Sequence, residues 1–247
     1  MAGHSKWKNI RLRKGKQDAI RGKTFTRISR EIIVAAKLGG ADPSGNPRLR
    51  LAIQKARENA MPADTIERAI KRGAGELEDV AYEELTYEGY GPGGSAILVE
   101  CTTENRNRTV ADLRHAFSKC GGNLAESGSV SWRFKYVGEI VVPRNGLDEE
   151  EFTLKAIDAG AEDVVADSEE FTVYTPAERL HTAYEELEAT GIKAAEVGLT
   201  YVPVDKVEPS KEEAGKLIRL LELLDELDDV KETYVNVELG DELLQEA

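Results

Sequence analysis

The chain has 247 residues, 40% hydrophobic and 32% charged, with a formal net charge of −13; that balance excludes disordered and fibrous classes and leaves a soluble globular protein of one to three domains. No apolar run approaches the ~20 residues that span a bilayer, no apolar h-region marks a signal peptide, and two cysteines, Cys101 and Cys120, are too few for a disulfide framework. A cytoplasmic protein with two reduced, structural thiols is the expectation.

Charge is distributed unevenly. Residues 1–73 hold 18 Lys and Arg against 6 Asp and Glu, a net of +12, whereas the remainder holds 15 against 40, a net of −25. Such asymmetry is the mark of a polyanion-binding end.

In chain order, residues 1–23 lack apolar periodicity, contain Gly15 and Gly22 and repel themselves, so they read as an arm that orders on its partner. From Thr24 the spacing is helical: Phe25, Ile28, Ile32 and Ala36 share one face, and Gly39 is the stop. The turn formers of GADPSGNP make a loop. A second helix starts at about Pro47 with Leu49, Ala52, Ile53 and Ala56 inward. Pro62 ends it and opens a third, with Ile66, Ala69 and Ile70 inward, that stops at Gly73. Three short helices make a small bundle.

Beyond Gly73 the pattern becomes α+β. AILVEC is a strand; Val110, Leu113, Phe117 and Cys120 lie on one face of a helix closed by Gly121 and Gly122. VSWRFKYV reads as a strand by its alternation. There follow EIVVP, a helix from Asp148 to Gly160, EDVVA, FTVYT, a helix opened by a capping box from Thr175 to Glu178, and AAEVGLTYVPV. That β-α-β-β-α-β order is a complete ferredoxin-like unit. The preceding strand and helix form a half unit, completed by a C-terminal helix capped by Ser210 and Glu213, with Leu217, Leu220, Leu221, Leu224 and Leu227 inward, and by the strand TYVNVEL. The domains expected are residues 1–75, basic arm and bundle; residues 80–136 plus 206–247, a middle α+β domain; and residues 137–205, a ferredoxin-like domain inserted into it.

Most chemical motifs fail on context. GYGPGG satisfies the G-x-G-x-x-G pattern, but a strand follows it where a dinucleotide site needs a helix N-terminus, so it reads as a tight turn between strands. His4, His115 and His181 lie far apart and neither cysteine has metal-type spacing to them, so no metal and no cofactor are expected. No nucleophile, base and orienting group stand out, which points away from an enzyme and from a small-molecule substrate. Trp132, Phe134 and Tyr136 resemble a base-stacking row, yet the stretch lacks the glycine-rich signature of RNA-recognition modules; core rings, with Arg133 and Lys135 facing water, are the expectation.

The basic end passes its test. Lys6, Lys8, Arg11, Arg13, Lys14, Lys16, Arg21, Lys23, Arg27 and Arg30 face a single opposing acid up to residue 30, Asp18. Each cation that neutralises a phosphate releases a counterion, giving strong, salt-sensitive binding. The competing reading is a tail solvated or docked on the protein's own acidic domains. Trp7 stacks on a base or sugar, or anchors the arm to the bundle. Arg48, Arg50, Lys55, Arg57, Lys71 and Arg72 extend the basic surface across the bundle.

MAGHSKWKNI, RGKTFTRISREI, GADPSGNPRLRLAI, MPADTIERAIKRGAGE, YEGYGPGG and ENRNRTVADLR together resemble the YebC family from end to end. The resemblance implies a three-domain α+β fold, an N-terminal helical bundle plus two ferredoxin-like α+β domains, one inserted in the other. It implies a non-enzymatic role in gene expression: DNA-binding transcription regulation, with the alternative of a ribosome-associated translation factor that binds ribosomal RNA and relieves stalling at proline-rich stretches. It carries over Lys6 to Arg30 as nucleic-acid contacts. Arg106 and Arg108 of ENRNRT are either such contacts or loop and cap structure. The chain departs from the family pattern at Ala60, where Asn is expected directly before Met61. A bacterial, cytoplasmic, monomeric member that binds nucleic acid, with no membrane partner, is the resulting expectation.

Overall fold

The computed structural model describes residues 17–77 and 81–237, with side chains placed from residue 22 onward. Helices α1 (Gln17–Gly39), α2 (Pro47–Glu58) and α3 (Ala63–Gly73) each bury one stripe, because their apolar residues recur at three- and four-residue intervals. Ile28, Ile32 and Ala36 of α1 close on Leu49, Ile53 and Ala56 of α2 and on Ile66 and Ala69 of α3. Asn46 fixes the corner between α1 and α2. Its Oδ1 accepts from the Leu49 amide at 3.0 Å, capping α2, while its Nδ2 donates to the carbonyls of Ala35 and Gly40, each at 2.8 Å. Residues 17–23, expected in the arm, are the first described turns of α1, and Lys23 among them is bonded to another helix, as described below.

Between α2 and α3 the backbone passes through Ala60 at φ 55°, a left-handed conformation that a Cβ makes costly and that Asn tolerates better. This is the position where the resemblance led Asn to be expected. Ala60→Asn is therefore expected to raise stability by about 0.5 kcal/mol, read as a higher urea midpoint with an unchanged m-value; a lower midpoint would refute the conformational account.

The chain continues through β1 (Glu83–Tyr90), β2 (Ala96–Thr103), α4 (Arg106–Lys119), β3 (Asn123–Leu124), β4 (Phe134–Pro143), α5 (Glu149–Asp158), β5 (Asp163–Ala166), β6 (Glu170–Pro176), α6 (Leu180–Ala189), β7 (Glu196–Pro203), α7 (Lys211–Glu226) and β8 (Val230–Val235). Two antiparallel four-stranded sheets result, ordered β3-β1-β2-β8 and β5-β6-β4-β7. In the first, Ile97, Val99 and Cys101 of β2 face α4 and α7, meeting Leu113, Phe117, Leu217, Leu220 and Leu224. The alternate residues Ala96 and Leu98 face the other way, onto Val130, Phe134, Tyr234 and Tyr201. Burial on both faces explains why β2 reads as a continuous apolar run. In the second sheet Ile140, Val142, Phe171 and Val173 pack on α5 and α6, with Phe152 and Phe171 stacked at 4.2 Å between ring centroids.

The C-terminal helix and strand complete the first sheet, so α7 and β8 return after the second sheet is finished. The chain enters that second sheet on β4 and leaves it on the neighbouring β7, with Phe134 opposite Pro203 and the Val204 amide donating to the Arg133 carbonyl at 2.8 Å. GYGPGG is the turn joining β1 to β2, a single 3₁₀ turn at Pro92–Gly94.

Three local readings need correction. VSWRFKYV is not one strand: Ser131–Arg133 form a 3₁₀ turn, and β4 starts at Phe134 and runs unbroken through EIVVP. Alternation across that turn therefore does not predict one face. Phe134 is buried, but Trp132 is 71% exposed and Tyr136 46% exposed. The capping box from Thr175 does not form either. Strand β6 continues through Pro176, Thr175 Oγ1 donates to the Pro176 carbonyl, and α6 begins only after a 3₁₀ turn at Ala177–Arg179.

Candidate nucleic-acid interface

Lys23, Arg27 and Arg30 lie four and three residues apart on α1 and therefore form one stripe. That stripe meets the C-terminal end of α7. Lys23 Nζ donates to the Glu226 carbonyl at 3.0 Å, Arg27 donates to Asp225 Oδ1 at 2.8 Å and to the Asp225 carbonyl at 2.6 Å, and Arg30 donates to the Asp228 carbonyl. A helix C-terminus leaves carbonyls without intrahelical partners and carries the negative end of the dipole. Cations from the bundle supply both the missing donors and the charge.

Asp229, just past α7, is the centre of the contact. Arg30 reaches its Oδ1 at 3.1 Å, Arg108 donates to both its oxygens at 3.0 Å, and the hydroxyls of Thr109 and Thr103 donate to Oδ2 at 2.7 and 3.2 Å. Burial works to raise its pKa, but the Thr109 and Arg108 hydrogen bonds and the charges of Arg30 and Arg108 outweigh it, holding the carboxyl below the usual Asp value. Arg108 sits in the first turn of α4, where a cation opposes the helix dipole; Asp229 offsets that. Asn105 caps the same turn, its Oδ1 accepting from the Arg108 amide at 3.1 Å. Arg106 is exposed beside Tyr87.

A second knot ties the bundle to the first sheet. Arg48 donates to Glu31 at 2.7 Å and to both oxygens of Glu84 at 2.6 and 3.0 Å, and Lys231 of β8 approaches Glu31 at 3.5 Å. Burial acts to raise the Glu31 pKa, yet the Arg48 hydrogen bond and the Lys231 charge bring it below the ordinary range. Arg50 and Arg57 behave differently. They are exposed on α2, two turns apart, beside a shallow groove lined also by Pro43, Ile53 and Gln54, and no carboxylate pairs with either among the described residues.

The site residues thus divide. Lys23, Arg27, Arg30 and Arg108 are brought together on the acidic end of α7, and Arg106 stands nearby at the start of α4. Lys6, Trp7, Lys8, Arg11, Arg13, Lys14 and Lys16 lie outside the described residues; Arg21 falls within α1, before side chains are placed. Asp225, Asp228 and Asp229 were not singled out from sequence. Their signal is the run LDELDD, which puts acids at a helix C-terminus, where the dipole disfavours them unless something positive is docked there. Among the described residues no helix is long and apolar enough to cross a membrane, and no group of three His, Cys, Asp or Glu is arranged to hold a metal ion.

Comparison with known proteins agrees with this architecture. Residues 5–76 match the model of the TACO1/YebC protein N-terminal domain, and residues 82–237 match that of the TACO1/YebC second and third domain. A protein of Persephonella marina named a probable transcriptional regulatory protein is 55% identical over 99% of both chains, and one of Acidithiobacillus ferrooxidans with the same name is 54% identical over 98% of this chain and 96% of its own. The crystal structure of a conserved hypothetical protein from Aquifex aeolicus, 49% identical, superposes with a TM-score of 0.83 over 92% of this chain and 93% of its own. With two family models covering both the bundle and the paired sheets, and full-length relatives at about half identity, the chain belongs to the TACO1/YebC family.

Proposed function

We propose that the protein is a non-enzymatic, nucleic-acid-binding regulator of gene expression, and that its basic N-terminal stretch makes the principal contacts, Lys6, Lys8, Arg11, Arg13, Lys14, Lys16 and Arg21 to phosphate and Trp7 to a base or sugar. The observation that supports the reading is charge segregation: residues 1–73 carry a net charge of +12 against −25 for the remainder, Lys23, Arg27 and Arg30 dock the bundle on the end of α7, and the sequence ahead of them is denser still in Lys and Arg, as a polyanion contact requires. Arg106, Arg50 and Arg57 are the described cations best placed to extend it. The relatives' shared name supports a role in transcription, hence DNA as target.

Ribosomal RNA is the second reading, and one feature favours it. Reading DNA by sequence in the usual way needs a helix with a free face for the major groove, whereas the basic stripe of α1, the longest described helix, is packed on α7. Backbone and shape contacts suit RNA without such a helix. The test compares co-sedimentation with ribosomes and footprinting on promoter DNA across a salt series. Ribosome association that weakens steeply between about 50 and 200 mM salt selects RNA; a sequence-specific footprint without ribosome association selects DNA. Binding to neither would refute the proposal.

A further inference from the structure

We propose that Trp132 is a stacking platform for an unpaired nucleobase, a second nucleic-acid contact besides the basic N-terminal stretch; this rests on the nucleic-acid reading above. Trp132 projects from the segment between β3 and β4, and that segment is built around a buried carboxylate. Glu88 of β1 accepts from the amides of Gly128, Val130 and Ser131 at 2.7, 2.6 and 2.9 Å. Burial pushes the Glu88 pKa up, but these three amides overcome it and keep the carboxyl below the ordinary Glu range, so the loop is gripped by a full charge. Val130 is wholly buried between the two sheets.

The indole itself is oriented from two sides. Its Nε1 donates to the Ser129 carbonyl at 3.0 Å, and the Tyr90 hydroxyl donates to the same oxygen at 2.9 Å. The Arg133 guanidinium lies 5.8 Å from the ring centroid and is held in turn by Asp205, with Nε 3.0 Å from each carboxylate oxygen. The one polar atom of the ring is therefore satisfied, its position is fixed, and what it offers to solvent is π surface with a cation beside it. A loop this firmly held around an unburied tryptophan spends its hydrogen bonds on presentation, since the ring adds little to the core.

The surround chooses the ligand. A tryptophan at the heart of a protein interface sits among other apolar side chains. The segment that carries Trp132 contains Glu126, Ser127, Gly128, Ser129 and Ser131; beside it stand only Tyr90, a second partly exposed ring with its hydroxyl on the same Ser129 carbonyl, and the exposed Val204, bonded through its amide to Arg133. A flat ring with a polar rim is what sequence-tolerant base stacking requires. A base inside a duplex already has both faces covered, so the platform selects unpaired strands.

The chain has two tryptophans, so Trp7→Phe makes Trp132 the sole indole reporter. This variant is titrated with a mixed-sequence RNA 20-mer, single-stranded or annealed to its complement, while anisotropy of a labelled copy reports binding separately. Quenching of Trp132 emission by the single strand but not the duplex is expected, together with a loss of between about fivefold and a hundredfold in single-strand affinity for Trp132→Ala, most of it restored by Trp132→Phe. Unchanged urea midpoints would show that these variants fold. Binding without quenching, at an affinity indifferent to Trp132→Ala, overturns the platform while leaving the nucleic-acid reading intact and hands the ring to a protein partner. Absence of any anisotropy change with the native protein, both tryptophans in place, removes both.

Discussion

Asp229→Ala is expected to lower the free energy of unfolding by about 3 kcal/mol. The carboxylate is 7% exposed and Arg30, one of its partners, 12%. Truncation strands a guanidinium at a closed domain junction and deprives the Thr109 and Thr103 hydroxyls of their acceptor, and breaking one side of a buried ion pair is far more damaging than removing an exposed one. Asp229→Asn, which keeps an acceptor for Thr109 but no charge for the two arginines, should fall between. A pH dependence accompanies the loss. The folded-state pKa of Asp229 lies below its unfolded value of about 3.9, so its contribution is present above that value and disappears as pH falls through the depressed folded value. Urea midpoints of the native protein should decline below about pH 4 more steeply than those of Asp229→Asn. Parallel declines, or an alanine variant of native stability, would mean that the bundle is not held through this carboxylate.

Reversing Arg11, Arg13, Lys14 and Lys16 to Glu is expected to abolish nucleic-acid binding at moderate salt. Each lost phosphate contact reduces the slope of log K against log salt by about 0.9 on duplex DNA and 0.7 on single strands, so four contacts remove roughly 3 to 4 units of slope. Thermal unfolding should barely move, because the proposed arm carries these charges into solvent, where substitutions change stability little. Isothermal binding across a salt series checks the slope and calorimetry checks the fold. Retained affinity would place the polyanion contact elsewhere, Arg50 and Arg57 being next in order; a collapse in stability would show that the arm is part of the folded core.

The bundle and the interrupted middle domain were legible because their signals are local: three- and four-residue apolar spacing in α1 to α3, Pro47 at a helix start, and a leucine-rich helix and strand at the C-terminus lacking a sheet of their own. What escaped was set by distant partners. Alternation through Trp132, Phe134 and Tyr136 says nothing of a 3₁₀ turn imposed by Glu88, more than forty residues away in sequence. Tyr136 is half exposed, its ring tilted at 45° against Tyr201, which is itself edge-on to Tyr234, a partner that alternation along one strand does not reveal. The basic stretch was legible as charge, but the binding of Lys23, Arg27 and Arg30 within the fold depends on acids some two hundred residues later.

The amide-to-carbonyl link between Val204 and Arg133 places the two ends of the second sheet's segment at a single point. A segment whose ends touch is a cassette: a short connector could replace it without breaking the pairing of β2 with β8 or moving α7. Excision would bare Leu98 and Tyr234, which that segment now covers. Any lineage that discarded the cassette would therefore have had to recolour those two positions polar, a trace to be sought in shortened relatives.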